Sequence, residues 1–271
     1  MAQILTDDKH YKKIAAKVRA VKGSTEMYLP SELPAAVLSL GDIESPILNA
    51  PHAVAYDING NPTVIGGIIA NGLYAYTDIT SIDLSDLAVV PKGLCAACTE
   101  LSSVVFSDRL THIQDYAFYR CYRLQTLNFP NTLTHIGASA FEDFGYDTQG
   151  VDLAFPASLK YIGDYAFCHA EIKSISFNEG LEEISEYAFW NIDTDIKTIT
   201  LPGSLKVIGD YAFGAIYSLT TVNFKGTPDS IGETALDHYT IKTINVPWAE
   251  GTIPGAPWGA TNATINYNVT P

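Results

Sequence analysis

The sequence predicts a solenoid of about eight coils, each a β-strand plus short helical turns, preceded by a small N-terminal helical hairpin. Two observations carry the solenoid. A hexapeptide of the form Ile-Gly-Asp-Tyr-Ala-Phe recurs at a period of about 23 residues, and the apolar residues between copies fall in one fixed pattern. A third observation is compositional. The chain has 271 residues, 47% of them hydrophobic and only 17% charged, with Thr, Ser, Asn and Tyr supplying much of the polar surface.

The first 40 residues read as a separate module. Tyr11, Ile14, Val18 and Val21 share one helical face, Asp7 and Asp8 open the helix, Arg19 and Lys22 sit in its last turn, and Gly23 stops it. A second helix begins at Ser31 as its cap, with Glu32 and Pro34 in the first turn and Leu33, Val37 and Leu40 on one face before Gly41. A two-helix hairpin of this size cannot hold a core alone, so it either docks on a partner or caps the solenoid. Residues 41–67 are a linker or a second candidate cap, with strand-like segments at Val54-Ala-Tyr56 and Val64-Ile65.

The repeats occupy residues 68–247. The best copies begin at Ile113, Ile136, Ile162, Ile184, Ile208 and Ile231, with degenerate copies at Val90 and Ile68; successive spacings are 22, 23, 23, 26, 22, 24 and 23. The one long spacing comes from extra residues around Gly145–Gly150. Each coil then carries a small residue (Cys98, Cys121, Ala170) and an apolar triplet such as Leu124, Leu127, Phe129 or Ile172, Ile175, Phe177. Its i, i+3, i+5 spacing ends in period-2 alternation, the signature of a short strand with one buried face. Pro130, Pro156, Pro202 and Pro247 close such strands. Stacking eight coils about 4.8 Å apart gives a ladder about 34 Å long. Residues 248–271, with Trp248 and Trp258, read as a C-terminal cap; a sugar-binding use of the two indoles is the other reading.

Asp115, Asp164, Glu186, Asp210 and Glu233 precede the helical turn and are expected to cap it by accepting a backbone N–H, with Gly before them for a tight turn. The sharper alternative is an acidic stripe holding divalent cations. Asp57, Asn59 and Asn61 lack the later Glu of a Ca²⁺ loop. Cys95-Ala-Ala-Cys98 matches a C-x-x-C string, but the repeat register puts Cys95 in the Phe column and Cys98 with Cys121 in the small-residue column. With Cys168 they read as buried, uncrosslinked thiols, and no metal site or cofactor is expected. His112 and His135 should form an exposed ladder one coil apart, and Tyr116, Tyr165, Tyr187 and Tyr211 form a column that is either exposed or packed.

No nucleophile elbow, phosphate loop or His-Glu-x-x-His is present, and among the many carboxylates nothing singles out a glycosidase pair. The chain reads as no enzyme. A formal charge of −14 disfavours nucleic acid and anionic membranes as partners. The charge is uneven: residues 1–40 carry a net +2 and the rest −16. Neither a targeting segment nor a membrane span is visible. Two outward columns offer hydrogen-bonding groups to a ligand. Thr126, Ser174, Thr198, Thr221 and Thr243 belong to one, and Asn128, Ser176, Thr200, Asn223 and Asn245 to the other. The plainer reading is that Thr and Ser favour the exposed face of any sheet.

The pattern Leu-x-x-Leu-x-Phe-Pro followed by Leu-x-x-Ile-Gly-x-x-Ala-Phe-x-x-Cys resembles the BspA-type leucine-rich repeat, over about residues 68–247. That resemblance implies a right-handed leucine-rich-repeat solenoid used for attachment to proteins or glycans, common in bacterial surface proteins and in bacteriophage proteins. The string from Tyr11 through Lys22-Gly-Ser-Thr-Glu-Met-Tyr-Leu-Pro to Val37 resembles a segment near the N-termini of phage tail and baseplate proteins. The ending resembles that of phage-encoded BspA-like proteins. Together they imply a non-enzymatic virion component of the tail or baseplate, made in the host cytoplasm. It would be anchored to other tail proteins through Tyr11, Ile14, Val18, Val21, Leu33, Val37 and Leu40, and would present the solenoid to a host-surface protein or glycan. Tail symmetry is compatible with a trimer. The alternative is a bacterial cell-surface or secreted adhesin of the same family, a class expected to need an export signal.

Overall fold

In the computed structural model, residues 52–66 and 77–269 are described. The expected helical pair within residues 1–40, its anchoring residues, and the weakest repeat copy at 68–73 lie outside them.

Two parallel ladders run along the solenoid. One is made of two-residue strands centred on the repeat isoleucines: β4 (Val89–Val90), β6 (His112–Ile113), β7 (His135–Ile136), β9 (Tyr161–Ile162), β11 (Glu183–Ile184), β13 (Val207–Ile208) and β15 (Ser230–Ile231). They pair in chain order as one seven-stranded sheet. The other ladder holds the longer strands β3 (Ser81–Leu84), β5 (Ser103–Phe106), β8 (Val151–Ala154), β10 (Ile172–Ser176), β12 (Thr198–Leu201), β14 (Thr221–Phe224), β16 (Thr243–Asn245) and β17 (Thr264–Asn266). It is interrupted where residues 124–129 form no regular strand, beside the coil that carries the 145–150 insertion, and again between β10 and β12, which share no strand pairing. At the front, β1 (His52–Tyr56) and β2 (Pro62–Gly66) form an antiparallel hairpin, and β1 pairs antiparallel with β3. The strand-like segments of 41–67 thus cover the first long strand.

The helical turns expected at Tyr-Ala-Phe are not helices, and no helix occurs among the described residues. The segment is a run of tight turns instead. In one coil the N–H groups of Tyr116, Phe118 and Arg120 donate to the carbonyls of Ala138, Ala140 and Glu142 on the next coil, at 2.9, 2.8 and 2.8 Å. The intervening Ala117 and Tyr119 N–H groups bond within the coil, to Gln114 and Tyr116, at 3.3 and 3.2 Å. An α-helix would spend its N–H groups on itself. Here left-handed residues, Tyr116 and Arg120 at φ 57° and their equivalents Tyr165, His169, Tyr187 and Asn191, turn every second N–H along the solenoid axis. A non-glycine residue in that conformation costs on the order of 1 kcal/mol, which the inter-coil bonds offset.

The expected Asp cap is corrected in the same way. Asp115 Oδ1 accepts the Ala138 N–H at 3.0 Å, Asp164 Oδ1 that of Glu186 at 3.2 Å, and Asp210 Oδ1 that of Thr234 at 3.1 Å. The carboxylate serves the next coil, not its own turn, and these lone pairs are no longer held out for a cation. The preceding Gly is there because backbones nearly touch. A Cβ on Gly209 would lie 2.5 Å from the Glu186 nitrogen, and one on Gly137 2.6 Å from the Asp115 nitrogen.

Inside, phenylalanines stack coil on coil. Phe118, Phe141, Phe167, Phe189 and Phe213 are fully buried and near-parallel, with successive centroids 5.2, 5.3, 5.2 and 5.4 Å apart. Phe106, Phe155 and Phe177, at or just past the ends of β5, β8 and β10, and Phe129 in the segment without regular strand form a second column that meets the first edge-on, as Phe177 does Phe189 at 84°. At the far end Trp248 and Trp258 are 6% and 0% exposed and Trp248 packs on Phe224 at 5.2 Å, while β17 adds a final parallel strand. Burial this complete is against the sugar-binding reading.

On the outside of the short-strand sheet, the His112 and His135 rings stack 4.5 Å apart and 7° from parallel. Each Nδ1 sits 2.9 or 2.8 Å from the hydroxyl of the preceding Thr. Those hydroxyls donate their one proton to the carbonyls of Ala88 and Thr111, so each ring donates from Nδ1 and presents Nε2 outward. Burial, and then the neighbouring His112, hold the His135 pKa below its ordinary value.

Two outcomes follow. Gly209→Ala should lower unfolding stability by about 1–3 kcal/mol through overpacking, whereas Gly203→Ala, whose Cβ would meet nothing closer than 3.6 Å, should be near neutral in the same urea titration. A depressed folded-state pKa means the unfolded chain binds the proton more readily. The contribution of His135 is therefore complete above the unfolded value of about 6.5 and is lost as pH falls below it. Melting temperature measured from pH 8 to pH 5 should fall less steeply in His135→Gln than in the parent.

Candidate functional site

The long-strand sheet has one face in the core and one outside, and the pairing register aligns the outward residues. Ser174 lies opposite Asp152, and Ser176 opposite Ala154. Thr198, Thr221, Thr243 and Thr264 follow one another across the last four strands, as do Thr200, Asn223, Asn245 and Asn266. Ser174, Ser176 and Thr198 are exposed, while Thr200, Thr221, Asn223, Thr243 and Asn245 are half-buried by their neighbours. Thr126 and Asn128 are exposed too, but they stand in the segment without regular strand. The expected outward rows exist, with that interruption and a second one between β10 and β12.

Much of their hydrogen-bonding capacity is spent along the column. Asn266 Nδ2 donates to Asn245 Oδ1 at 2.8 Å, Asn245 Nδ2 to Asn223 Oδ1 at 2.8 Å, and Asn223 Nδ2 to Thr200 Oγ1 at 3.4 Å. The Ser174 hydroxyl donates to Asp152 Oδ1. An amide in such a ladder keeps one N–H and one lone pair for solvent or a ligand. Thr264 and Asn266 extend both columns and were missed from sequence. The signal was present, because Thr-Ile-Asn at 243–245 recurs at 264–266.

Elsewhere the hydroxyls have architectural work. Those of Thr132, Thr134, Ser158, Ser204 and Ser218 donate to carbonyls of the preceding coil at 2.7–2.9 Å. The tyrosine column is a partly exposed stack, with Tyr165, Tyr187 and Tyr211 centroids 4.7 and 4.8 Å apart, and Tyr116, 42% exposed, beneath the Lys92 ammonium at 5.4 Å. Removal of the phenols from water, and then the neighbouring phenol, raise the pKa of Tyr165 and Tyr187.

All four cysteines are buried and none is in a disulfide. Burial pushes the Cys95 and Cys121 thiols well up, while Cys98 is lowered, first by a hydrogen bond from Cys95. Asp57 is taken up in the β1–β2 turn, where it accepts from the Asn59 and Asn61 N–H groups at 2.8 and 2.9 Å. A shallow depression beside that hairpin is lined by Ile58, Thr80, Glu100, Ser102, Arg123, Gln125 and Asp147. Arg123 is neutralised there between Glu100 and Asp147. The Thr–His pairs of the short-strand sheet are not nucleophile–base pairs, since in each the imidazole is the donor. The geometry offers a ribbed polar face for binding and no assembled group for covalent chemistry among the described residues.

Known proteins agree with this architecture. The model of the BspA type leucine-rich repeat region matches residues 67–149 and 144–255, in six copies. No curated protein matches the sequence. Among solved structures, a leucine-rich repeat protein from Bacteroides ovatus is 17% identical with a TM-score of 0.45, covering 79% of this chain and 61% of its own. A leucine-rich cell surface protein from Faecalibacterium prausnitzii is 15% identical with a TM-score of 0.36, covering 69% of this chain and 59% of its own. The pneumococcal vaccine antigen PcpA is 16% identical with a TM-score of 0.29, covering 71% and 69%. The chain thus spans about three fifths of the length of the first two. With the repeat model covering most of the chain and the stacked coils observed directly, this protein belongs to the BspA-type leucine-rich-repeat family.

Proposed function

We propose that this protein is a non-enzymatic attachment scaffold of the bacterial surface type, binding a protein or glycan through the outward face of its long-strand sheet. The observation that carries the reading is the double column of outward Thr and Asn side chains across the last four long strands, from Thr198 and Thr200 to Thr264 and Asn266, held in register by backbone pairing, with the Asp152–Ser174 pair on the neighbouring two-stranded segment. A face already rigid loses little entropy on binding, and half-used amides lose little solvation. Family membership supports the class. The acidic body supports a partner that is neither nucleic acid nor an anionic lipid surface.

A tail or baseplate component is the second reading. It rests on the resemblance of residues 1–40 to tail-protein segments, which would make that module the mount and the solenoid the receptor-facing part. Its partners would then be other virion proteins. Mass spectrometry of purified virions separates the two: the tail reading requires the chain in the particle, and a truncation lacking residues 1–40 should then fold yet fail to assemble.

For the leading reading, the paired variants Ser174→Arg/Ser176→Arg and Thr221→Arg/Thr243→Arg should each reduce binding of the labelled full chain to target cells and arrayed glycans at least about tenfold, because a buried misfit costs over 1.4 kcal/mol. Melting temperature should stay close to the parent's, since the changes are on the outer face. Binding equal to the parent in both variants would remove this face from the mechanism.

A further inference from the structure

The two positions that follow each repeat Phe vary from coil to coil: Ala96-Ala97, Tyr119-Arg120, Trp190-Asn191 and Gly214-Ala215. The fold dictates no particular chemistry there. On two adjacent coils the pairs are Glu142-Asp143 and Cys168-His169, set side by side by the Asp143 N–H, which donates to the Cys168 carbonyl at 2.9 Å. The coil carrying Glu142 departs from the repeat elsewhere too, with Ser139 where other coils have Tyr and the 145–150 insertion just beyond.

A carboxylate oxygen of Glu142, the Cys168 sulfur and a ring nitrogen of His169 all lie within 4.8 Å of one another. Neither the Glu142 carboxylate nor the Cys168 thiol has a hydrogen-bond or ion-pair partner among the described residues. Asp143 is engaged on both oxygens: Oδ2 accepts from Arg120 Nε at 3.1 Å, and Oδ1 lies 3.3 Å from His169 Nδ1. A carboxylate behind an imidazole is the arrangement that orients metal-bound histidines and leaves Nε2 for the ion.

We propose that Glu142, Cys168 and His169 form a three-ligand site for a divalent transition metal of the zinc type, with Asp143 orienting His169 and a fourth position open to water. The donor set selects the metal. Thiolate and imidazole suit zinc and its neighbours, whereas Ca²⁺ and Mg²⁺ take oxygen alone. The distances suit it as well. Atoms no more than 4.8 Å apart share a point about 2.8 Å or less from each, against zinc bonds of roughly 2.0–2.3 Å, so shifts of about 0.5–0.8 Å close the shell.

Binding is coupled to one proton. A free thiol carries S–H, and as the metal–sulfur bond forms that proton leaves to solvent.

The test is titration of the tag-free full chain with Co²⁺, followed by displacement with Zn²⁺. The expected result is one equivalent bound with a thiolate-to-metal charge-transfer band that is absent in Cys168→Ser. Affinity should fall at least about tenfold in His169→Gln and Glu142→Gln and be unchanged in His112→Gln. The Trp190 ring, 5.0 Å from His169, gives a second readout: its fluorescence should be quenched with the same midpoint. If Cys168→Ser does not fold, the two remaining ligand variants decide. A charge-transfer band that survives in Cys168→Ser, affinity indifferent to Glu142 and His169, or no band at all would overturn the site.

Discussion

Every coil must come within one strand spacing of the next along its whole circuit, and the backbone hydrogen bonds that run along the axis enforce it. Strands meet this requirement by construction, since their N–H and C=O groups already point sideways. The turn segments meet it only by placing Tyr116 and Arg120, and their equivalents in other coils, in left-handed conformations that aim alternate N–H groups at the neighbour. The rest is consequence. Gly137 and Gly209 stand where a Cβ would strike the adjacent backbone, and the Asp carboxylates of the turn segments reach across the gap to the next coil's N–H. Flat rings stack where the repeat brings identical residues about 5 Å apart.

A one-dimensional stack has two ends, and they are finished differently. At the front of the described residues an antiparallel hairpin pairs with β3, reversing the chain direction there. At the back the two buried indoles pack on Phe224 and on each other, and β17 carries the sheet one strand further. Between these ends stability is a sum of neighbour contacts, so a defect such as the break at residues 124–129 is tolerated locally.

The same logic governs the polar residues. A solenoid with few charges must satisfy its edges some other way, and Ser, Thr and Asn do so by bonding to the preceding coil. A surface built like this is stiff, regular and only partly used up, which is what a binding face needs. Against that regularity, the pairing of Glu142-Asp143 with Cys168-His169 stands out because architecture does not call for it.

The period, the position of most long strands, the buried Phe, Ile and Leu columns and the outward rows were legible in the sequence, whereas the two-residue strands on the repeat isoleucines and the loss of the strand at 124–129 were not. Each is a statement about which residues recur at which spacing, and recurrence survives folding unchanged. Cys95 in the Phe column followed from the same register. Only the tertiary structure could show where the turn N–H groups go. Tyr-Ala-Phe-x-x-small fits a helical turn as well as a stack of tight turns, and the choice rests on bonds to residues 21 to 25 positions away. It likewise took three dimensions to show that Asp115 serves Ala138 and that His169 meets Glu142. Sequence order carries what each coil contains, whereas the contacts between coils exist only once the coils are stacked.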